Sequence, residues 1–425
     1  MGRRESPGRA WGTAPISGGS VWPTWLVTRL LVLGLLLGFE SRVAHDVLYF
    51  ARSLRHIHVV GLSSTMPEYP LPAVGVVAVP WLFAKLLGSA LLFRPVMVAC
   101  GVGIDALYTA VLLRSTGPGR RPAVLLWLAA VPALGGLAYV RFDLIPGVLV
   151  GFAMLVAATH PRRDALCVAI ATSIKLWPAL LIPTVWLRVA SRWRYLVVVG
   201  FVGLLAVGST VALAGWSRLV SPMVYQAHRG LQVESVAATP VMVARVVRPA
   251  GWRVFYSQFK AYEISGRGVA WLERVTDIAT LVLVVGLCLL WIRAWRRSRR
   301  VDPDVLVWLC LGAVSGFMAV GKVLSPQYFL WLLPATAAAL TIWRSDPRAV
   351  RRWSVVVVAA AALTHVLFPW LYRDLLHGGD LLGLGVTLLA VRNLLVLWLF
   401  VEAARQAVRC LEASEDELAA LSRTS

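Results

Sequence analysis

The chain has 425 residues and carries 42 Lys and Arg against 21 Asp and Glu, a formal charge of +21, yet only 15% of it is charged and 59% is hydrophobic. Soluble domains average about 25% charged residues and about 45–50% apolar ones, so a mean hydropathy of +0.73 with the apolar residues in long runs excludes a soluble globular protein. Arg clusters placed between apolar runs are what membrane topology requires, and the basic excess therefore does not argue for DNA or RNA: no nucleic-acid partner is expected. Of the five Cys, Cys100, Cys167, Cys288 and Cys310 sit inside apolar runs and Cys410 in a basic tail, which is neither a metal nor a disulfide pattern.

A spanning helix needs about 20 apolar residues, and short loops rich in Lys and Arg stay in the cytoplasm. The first run, Val21 to Phe39, follows a tail bearing Arg3, Arg4 and Arg9 and reads as a retained helix with its N-terminus inside. Basic clusters at Arg114 to Arg121, Arg162 and Arg163, Arg188 to Arg194, Arg293 to Arg300 and Arg344 to Arg352 are also placed inside. The links Tyr139 to Asp143, Lys322 to Tyr328 and Arg373 to Asp380 are placed outside. Between Asp46 and Arg114 lie two apolar stretches where only an odd number of crossings is allowed. Leu71 to Leu87, with Pro72, Pro80, Trp81 and Lys85, is taken as a helix along the outer surface, and Val96 to Leu113 as the second span.

The segment Asp164 to Leu187 is flanked on both sides by cytoplasmic Arg and is too short for two ordinary spans. It predicts a short hairpin whose turn falls at Ile174-Lys175-Leu176-Trp177-Pro178, where Pro frees backbone groups that only protein or a wet cavity can satisfy. The remaining spans fall near 123–138, 144–159, 195–215, 272–292, 305–321, 329–343, 353–371 and 381–402. The expectation is an all-α, polytopic transmembrane helix bundle of about twelve helices, with long external loops at 40–95 and 216–271. Residues 1–20 and 406–425 form cytoplasmic tails around a domain over 21–405.

Charged and polar residues within a membrane protein mark function, and here they gather on the outer side. Asp46, Arg52, Arg55, Glu68, Arg141, Asp143, Lys175, His228, Arg229, Gln232, Glu234, Lys322 and Gln327 all fall in external loops or at outer helix ends. Arg29, Asp105, Asp277 and Arg392 lie within spans, where pairing or snorkelling is expected. Gly316 to Val323 nearly spells a phosphate-binding loop, but Val323 replaces the hydroxyl that would ligate Mg²⁺. Gly101-Val-Gly103 imitates a dinucleotide fingerprint inside a span with no strand before it, so small residues for helix packing are the better reading. No metalloprotease or serine-hydrolase motif is present, and the His residues have no ligand spacing, so no structural metal is expected.

In order, the chain carries His45-Asp46-Val-Leu-Tyr49-Phe50, Glu68-Tyr69-Pro70, Tyr139-Val-Arg141-Phe-Asp143 and Ile174-Lys175-Leu-Trp177-Pro178. There follow Arg229-Gly230-Leu-Gln232-Val-Glu234-Ser235, which His228 adjoins, Lys322-Val-Leu-Ser325-Pro326-Gln327-Tyr328 and Arg392-Asn393. In this order and sidedness the chain resembles the GT-C membrane glycosyltransferases, and specifically glycosyltransferase family 87, whose mannosyltransferases use polyprenyl-phosphate sugar donors. The resemblance implies a surface helix in the first external loop and a short fifth and sixth helix. It also implies an inverting transfer of a sugar, mannose in the first instance, from a polyprenyl-phosphate donor to a glycolipid or cell-envelope glycan on the outer face of the cytoplasmic membrane. The donor is a substrate, and no cofactor is expected.

One carboxylate suffices for such a transfer. It takes the proton from the attacking acceptor hydroxyl, while phosphate leaves without an acid partner, unlike glycoside hydrolysis with its carboxylate pair. Asp46 stands where the family has its catalytic base; the alternative reading is an ion pair with Arg42 or Arg52. Lys175 and Lys322, each a solitary Lys beside a Pro-containing turn, are candidates for the leaving phosphate, or else anchors reaching the interface. Gln327 and Tyr328 neighbour Lys322 as donor contacts. Arg229 is a further phosphate candidate, and Glu234, Gln232 and His228 adjoin it as sugar contacts. Arg141 and Asp143 shape the cavity or pair locally, and Glu68 with Tyr69 positions the acceptor, Glu68 being the substitute base. The rival class is a transporter or flippase of a lipid-linked sugar, which predicts paired broken helices at the midplane, whereas one broken hairpin is read here.

Overall fold

The structure is a computed structural model that describes residues 18–117, 119–189, 191–297, 302–343 and 347–424. The tail with Arg3, Arg4 and Arg9 lies outside the described residues, as do parts of the clusters at 293–300 and 344–352 and the side chains of Arg42 and His45. The chain is nearly all helix, and every expected crossing is a helix. Seven of the described helices are long and apolar enough to cross a membrane. Others are shorter: Arg120–Leu134, Leu144–Val156 and Phe329–Ile342 have 15, 13 and 14 residues, about 20 Å each at about 1.5 Å per residue. Such lengths fall short of a hydrocarbon core of about 30 Å, and these helices are sheltered inside the bundle, where protein satisfies the backbone that lipid would leave unpaired.

Pro303–Val320 and Phe329–Ile342 are buried along most of their length and form the centre, whereas Arg192–Ala214 exposes most of its apolar side chains at the rim. Their termini follow from local sequence. Asp302 caps Pro303–Val320 by accepting from the Asp304 amide at 2.7 Å, with Pro303 in the first turn where its missing N–H costs nothing. Pro334 inside Phe329–Ile342 cannot donate to Leu330, and Gly147 packs its backbone directly against that freed carbonyl, where a Cβ would collide. Three helices are pinned by one buried carboxylate. Asp105 accepts from Arg29 Nε at 2.8 Å and Nη2 at 3.0 Å, from Trp127 Nε1 at 2.8 Å and from Tyr139 Oη at 2.7 Å. Two of the intramembrane charges expected to pair, Arg29 and Asp105, therefore do so with each other.

The short hairpin is present. Pro161–Ile174 ends where Lys175 is extended (φ −144°, ψ 138°), a 3-10 turn spans Trp177–Leu181, and Ile182–Arg188 returns. The first long loop carries helices His45–Arg55, Ile57–Ser64 and Leu71–Leu86. Leu71–Leu86 packs on Phe93–Arg114 through Trp81 and Phe93, and its other face, with Val79, Leu82, Phe83 and Leu86, is exposed and apolar as well. An interfacial helix keeps a polar face toward water; this one has none, so its outer face suits lipid.

The second long loop forms helices Trp216–Ala227 and Thr239–Val247 and an antiparallel hairpin, β1 (Trp252–Tyr256) with β2 (Tyr262–Gly266), in register Val254 to Ile264. Its own small core, including Leu231, Met242 and Ile264, packs on Leu367, Leu375 and Leu389. Arg245 donates to the carbonyls of Leu375 and Leu376 at 2.7 and 2.8 Å, filling the end of helix Tyr372–His377. The last helix runs unbroken from Leu382 to Thr424, so the expected boundary at 405/406 is no break in the backbone.

Candidate functional site

Both long loops close over the same end of the bundle, away from the ends that carry the Arg clusters, and beneath them lies a cavity of about 920 Å³. Arg218 locks the two loops together. It is buried in Trp216–Ala227 and donates to the carbonyls of Leu62, Thr65 and Met66 at 3.3, 3.2 and 3.0 Å. Met66 is held with φ +50° at that turn, immediately before Glu68 and Tyr69.

Asp46 sits in the first turn of His45–Arg55 and lines the cavity with its side chain 39% exposed. It is ion-paired with Arg141. The partner is therefore a residue from the link after Arg120–Leu134, far from Asp46 in sequence. Burial pulls the Arg141 guanidinium down to about 10, so it remains a cation at neutral pH. Its Nε is buried without a hydrogen-bond partner.

Asp143 is 1% exposed, does not line the cavity, and pairs with Lys175 while accepting from Trp331 Nε1 at 2.7 Å. Lys175 does line it, in an aromatic setting: its Nζ stands 5.3 Å from the ring centres of Tyr69 and Phe142 and 5.1 Å from that of Trp331. Trp331 in turn stacks on Tyr328 (3.8 Å, 23°) and Trp177 (5.1 Å, 14°), giving a flat aromatic floor. Turn residues Gln327 and Tyr328 both face the cavity.

On the opposite wall, Glu68 accepts from Tyr49 Oη at 2.6 Å and meets Lys260 Nζ at 3.6 Å, while that ammonium lies 3.7 Å from the Tyr49 ring centre. Arg229, Gln232 and Glu234 line the cavity from the second loop. Gln232 uses its backbone amide on the Lys322 carbonyl (3.0 Å) and its Oε1 on the Leu324 amide (2.8 Å), so much of its hydrogen-bonding capacity ties the loop to the bundle. Glu234 is fully buried, with Arg392 Nη2 at 3.5 Å and the Tyr372 hydroxyl beside its carboxylate. Burial pushes its carboxyl up to about 7 against the pull of Arg392 and Arg141.

Three expected site residues stay outside the cavity wall. Besides Asp143, they are Lys322, whose Nζ reaches Asp277 at 2.9 Å, and His228, whose Nδ1 lies 2.8 Å from the Val224 carbonyl of its own helix. Lys322 follows the end of Pro303–Val320 and faces Val269–Arg297, which turns its ammonium away from the chamber. Arg392 likewise holds Glu234 and does not line the cavity. Conversely, Lys260, Tyr225, Arg52 and Arg373 line the cavity without having been singled out as contacts. One signal was available for Lys260: the chain has only four Lys (Lys85, Lys175, Lys260 and Lys322) among 42 basic residues, and this one sits between aromatic residues in an external loop.

The fold and this chamber define a polytopic helical membrane protein with a polar, cation-walled site at one end of the bundle. The chain belongs to glycosyltransferase family 87, whose family model matches residues 68–326. That match takes in the Arg141, Lys175 and Arg229 to Glu234 segments and begins after Asp46. No curated protein and no solved structure was found to match. The protein is thus a membrane glycosyltransferase. Among the described residues no group of His, Cys, Asp and Glu has the makings of a metal site.

Proposed function

We propose that the protein transfers a sugar, mannose in the first instance, with inversion from a polyprenyl-phosphate donor to the hydroxyl of a glycolipid or cell-envelope glycan, at the outer face of the cytoplasmic membrane. The observation that carries this reading is that, of the carboxylates lining the cavity among the described residues, Asp46 is the exposed one, and the cations Arg141, Lys175 and Arg229 line the cavity with it. In the reaction the acceptor oxygen attacks the anomeric carbon, its proton passes to Asp46, and the bond to the phosphate oxygen breaks, leaving polyprenyl phosphate. Fixed cations in a water-poor site stabilise the charge that grows on that phosphate. The aromatic floor of Tyr328 and Trp331 offers a face on which a sugar ring stacks. Basic clusters at the opposite helix ends argue for an external chamber by the positive-inside rule, and both termini are then cytoplasmic.

The test is transfer of labelled mannose from synthetic polyprenyl-phosphate-mannose to membrane acceptors by purified protein, beside the Asp46→Asn variant at matched folding. Loss of transfer in the variant with donor binding retained supports the reading. Absence of transfer by the wild type, with this donor and with the arabinofuranose analogue, overturns it in favour of a carrier of lipid-linked sugar.

A further inference from the structure

The second long loop carries two helices whose polarity is the reverse of that in a water-soluble protein, where apolar residues face the core and polar ones the solvent. In Trp216–Ala227, Arg218 and Pro222 are buried, and Ser221 Oγ accepts from Arg218 Nη1 at 2.8 Å and donates to the Pro67 carbonyl at 2.9 Å. Trp216, Val220, Met223 and Val224 make up one exposed stripe, with Trp216 69% and Met223 56% exposed. Thr239–Val247 repeats the arrangement. Its Arg245 turns inward to the carbonyls of Leu375 and Leu376, while Val243, Val246 and Val247 face outward. An Arg turned inward and valines turned outward is unfavourable in water and suits an apolar medium.

Both ends of this loop are continuous with surface that faces lipid. Arg192–Ala214 has 23 residues, about 35 Å at about 1.5 Å per residue, which is enough to cross a hydrocarbon core of about 30 Å and brings Ala214 to its edge. Gly215 follows with φ +83°, a conformation that glycine adopts without strain, and turns the chain into Trp216–Ala227. Apolar exposure passes without interruption from Leu205 and Leu213 of the span to Trp216 and Val220 of the helix. At its far end the loop enters Val269–Arg297, where Trp271, Ile278 and Leu281 are exposed.

We propose that Trp216–Ala227 and Thr239–Val247 lie in the plane of the membrane interface on the chamber side, with their exposed apolar stripes set into that lipid leaflet. The indole of Trp216 then sits at headgroup level, where Trp is favoured. The inner side of Trp216–Ala227 brings Pro222, Tyr225 and Gln226 to the chamber. One helix therefore parts the chamber from lipid, and the leaflet helps to hold that wall in place. The inference rests on the chain's crossing the membrane and is independent of the sugar, donor or acceptor.

The experiment uses the full-length wild-type protein in phosphatidylcholine nanodiscs, in which some of the lipid carries a diazirine on its acyl chain near the headgroup. Adducts mapped by mass spectrometry are expected within 220–224 and 243–247, at yields comparable with that at Leu213. Adducts on Arg192–Ala214 and Val269–Arg297 with none on either loop helix would overturn the proposal. Cross-links joining two copies through these stripes, without lipid adducts, would overturn it in favour of a self-contact. Met223 gives a second readout, because it is exposed in the protein alone and any protection must come from what covers it. Chloramine-T in the water phase should convert it to the sulfoxide far more slowly in nanodiscs than in protein unfolded by guanidinium, and equal rates would overturn the proposal. Val220→Glu combined with Val224→Glu leaves the chamber face intact. This double variant should lower labelling at Met223 by about tenfold or more, since losing the burial of two Val side chains is worth that much. Labelling at Leu213 and the melting temperature in detergent stay unchanged. Labelling at Met223 that persists at the wild-type yield would overturn the part given to the stripe.

Discussion

Arg141 is ion-paired with Asp46 across the gap between the first long loop and the bundle, so the carboxylate at the chamber wall is held by a cation that lines the same chamber. A base paired in this way is oriented before substrate arrives. Asp46→Asn should lower single-turnover transfer by about 10²–10⁴, the usual worth of general-base help, with donor affinity retained. Transfer by the variant at the wild-type rate would remove Asp46 as the base.

Lys175 needs two variants, because its partner Asp143 is buried. Lys175→Met alone leaves that carboxylate uncompensated, a change that costs about 3–5 kcal/mol in comparable pairs, and poor recovery of folded protein is expected. Lys175→Met combined with Asp143→Asn removes both charges while the Asn side-chain oxygen can still accept from Trp331. The double variant should fold and bind the phosphate donor more weakly. Wild-type donor affinity in it would limit Lys175 to a structural part.

Glu234 titrates near neutrality. Its carboxyl lies at about 7 in the fold against an ordinary 4.5, so between those values the folded protein retains a proton that the unfolded chain has lost. Stability therefore falls as pH rises through this window and levels off above it. Over the same interval a negative charge appears on the chamber wall and opposes an anionic donor. Donor KM should rise as the pH passes about 7, and both trends should be absent in Glu234→Gln; pH profiles of KM and of the melting temperature in detergent read them separately.

Asp105 should be critical for folding. Asp105→Leu strands Arg29 in the bundle and frees Trp127 and Tyr139 as well, at about 3–5 kcal/mol. Pairing it with Arg29→Met should recover much of the loss, as seen by size-exclusion profile and melting temperature. An unaffected single variant would show that the network adds no stability.

The spans, the broken hairpin and the two loops were legible because their causes are local. Apolar length, Pro178 beside Lys175 and Arg clusters between runs act over one helix or one turn at a time, and the helix ends fall close to where those signals lie. Membership of the family was legible for a similar reason, since short motifs in fixed order survive without knowledge of how helices pack. The small hairpin of β1 and β2 was not foreseen, because Val254, Phe255 and Tyr262 to Ile264 are too few to separate a strand pair from a loop by periodicity.

Sequence by itself determined that the protein crosses the membrane many times and gathers its polar residues at one end. The hydrocarbon core admits only apolar helices, and that constraint is written residue by residue. Which charge meets which was decided by tertiary structure alone. Asp46 takes Arg141, Lys322 takes Asp277, Arg392 takes Glu234, and Lys260 enters the chamber beside Glu68. A charge removed from water must find a partner, but the choice among partners depends on where packing sets one helix against another, and no spacing along the chain encodes that.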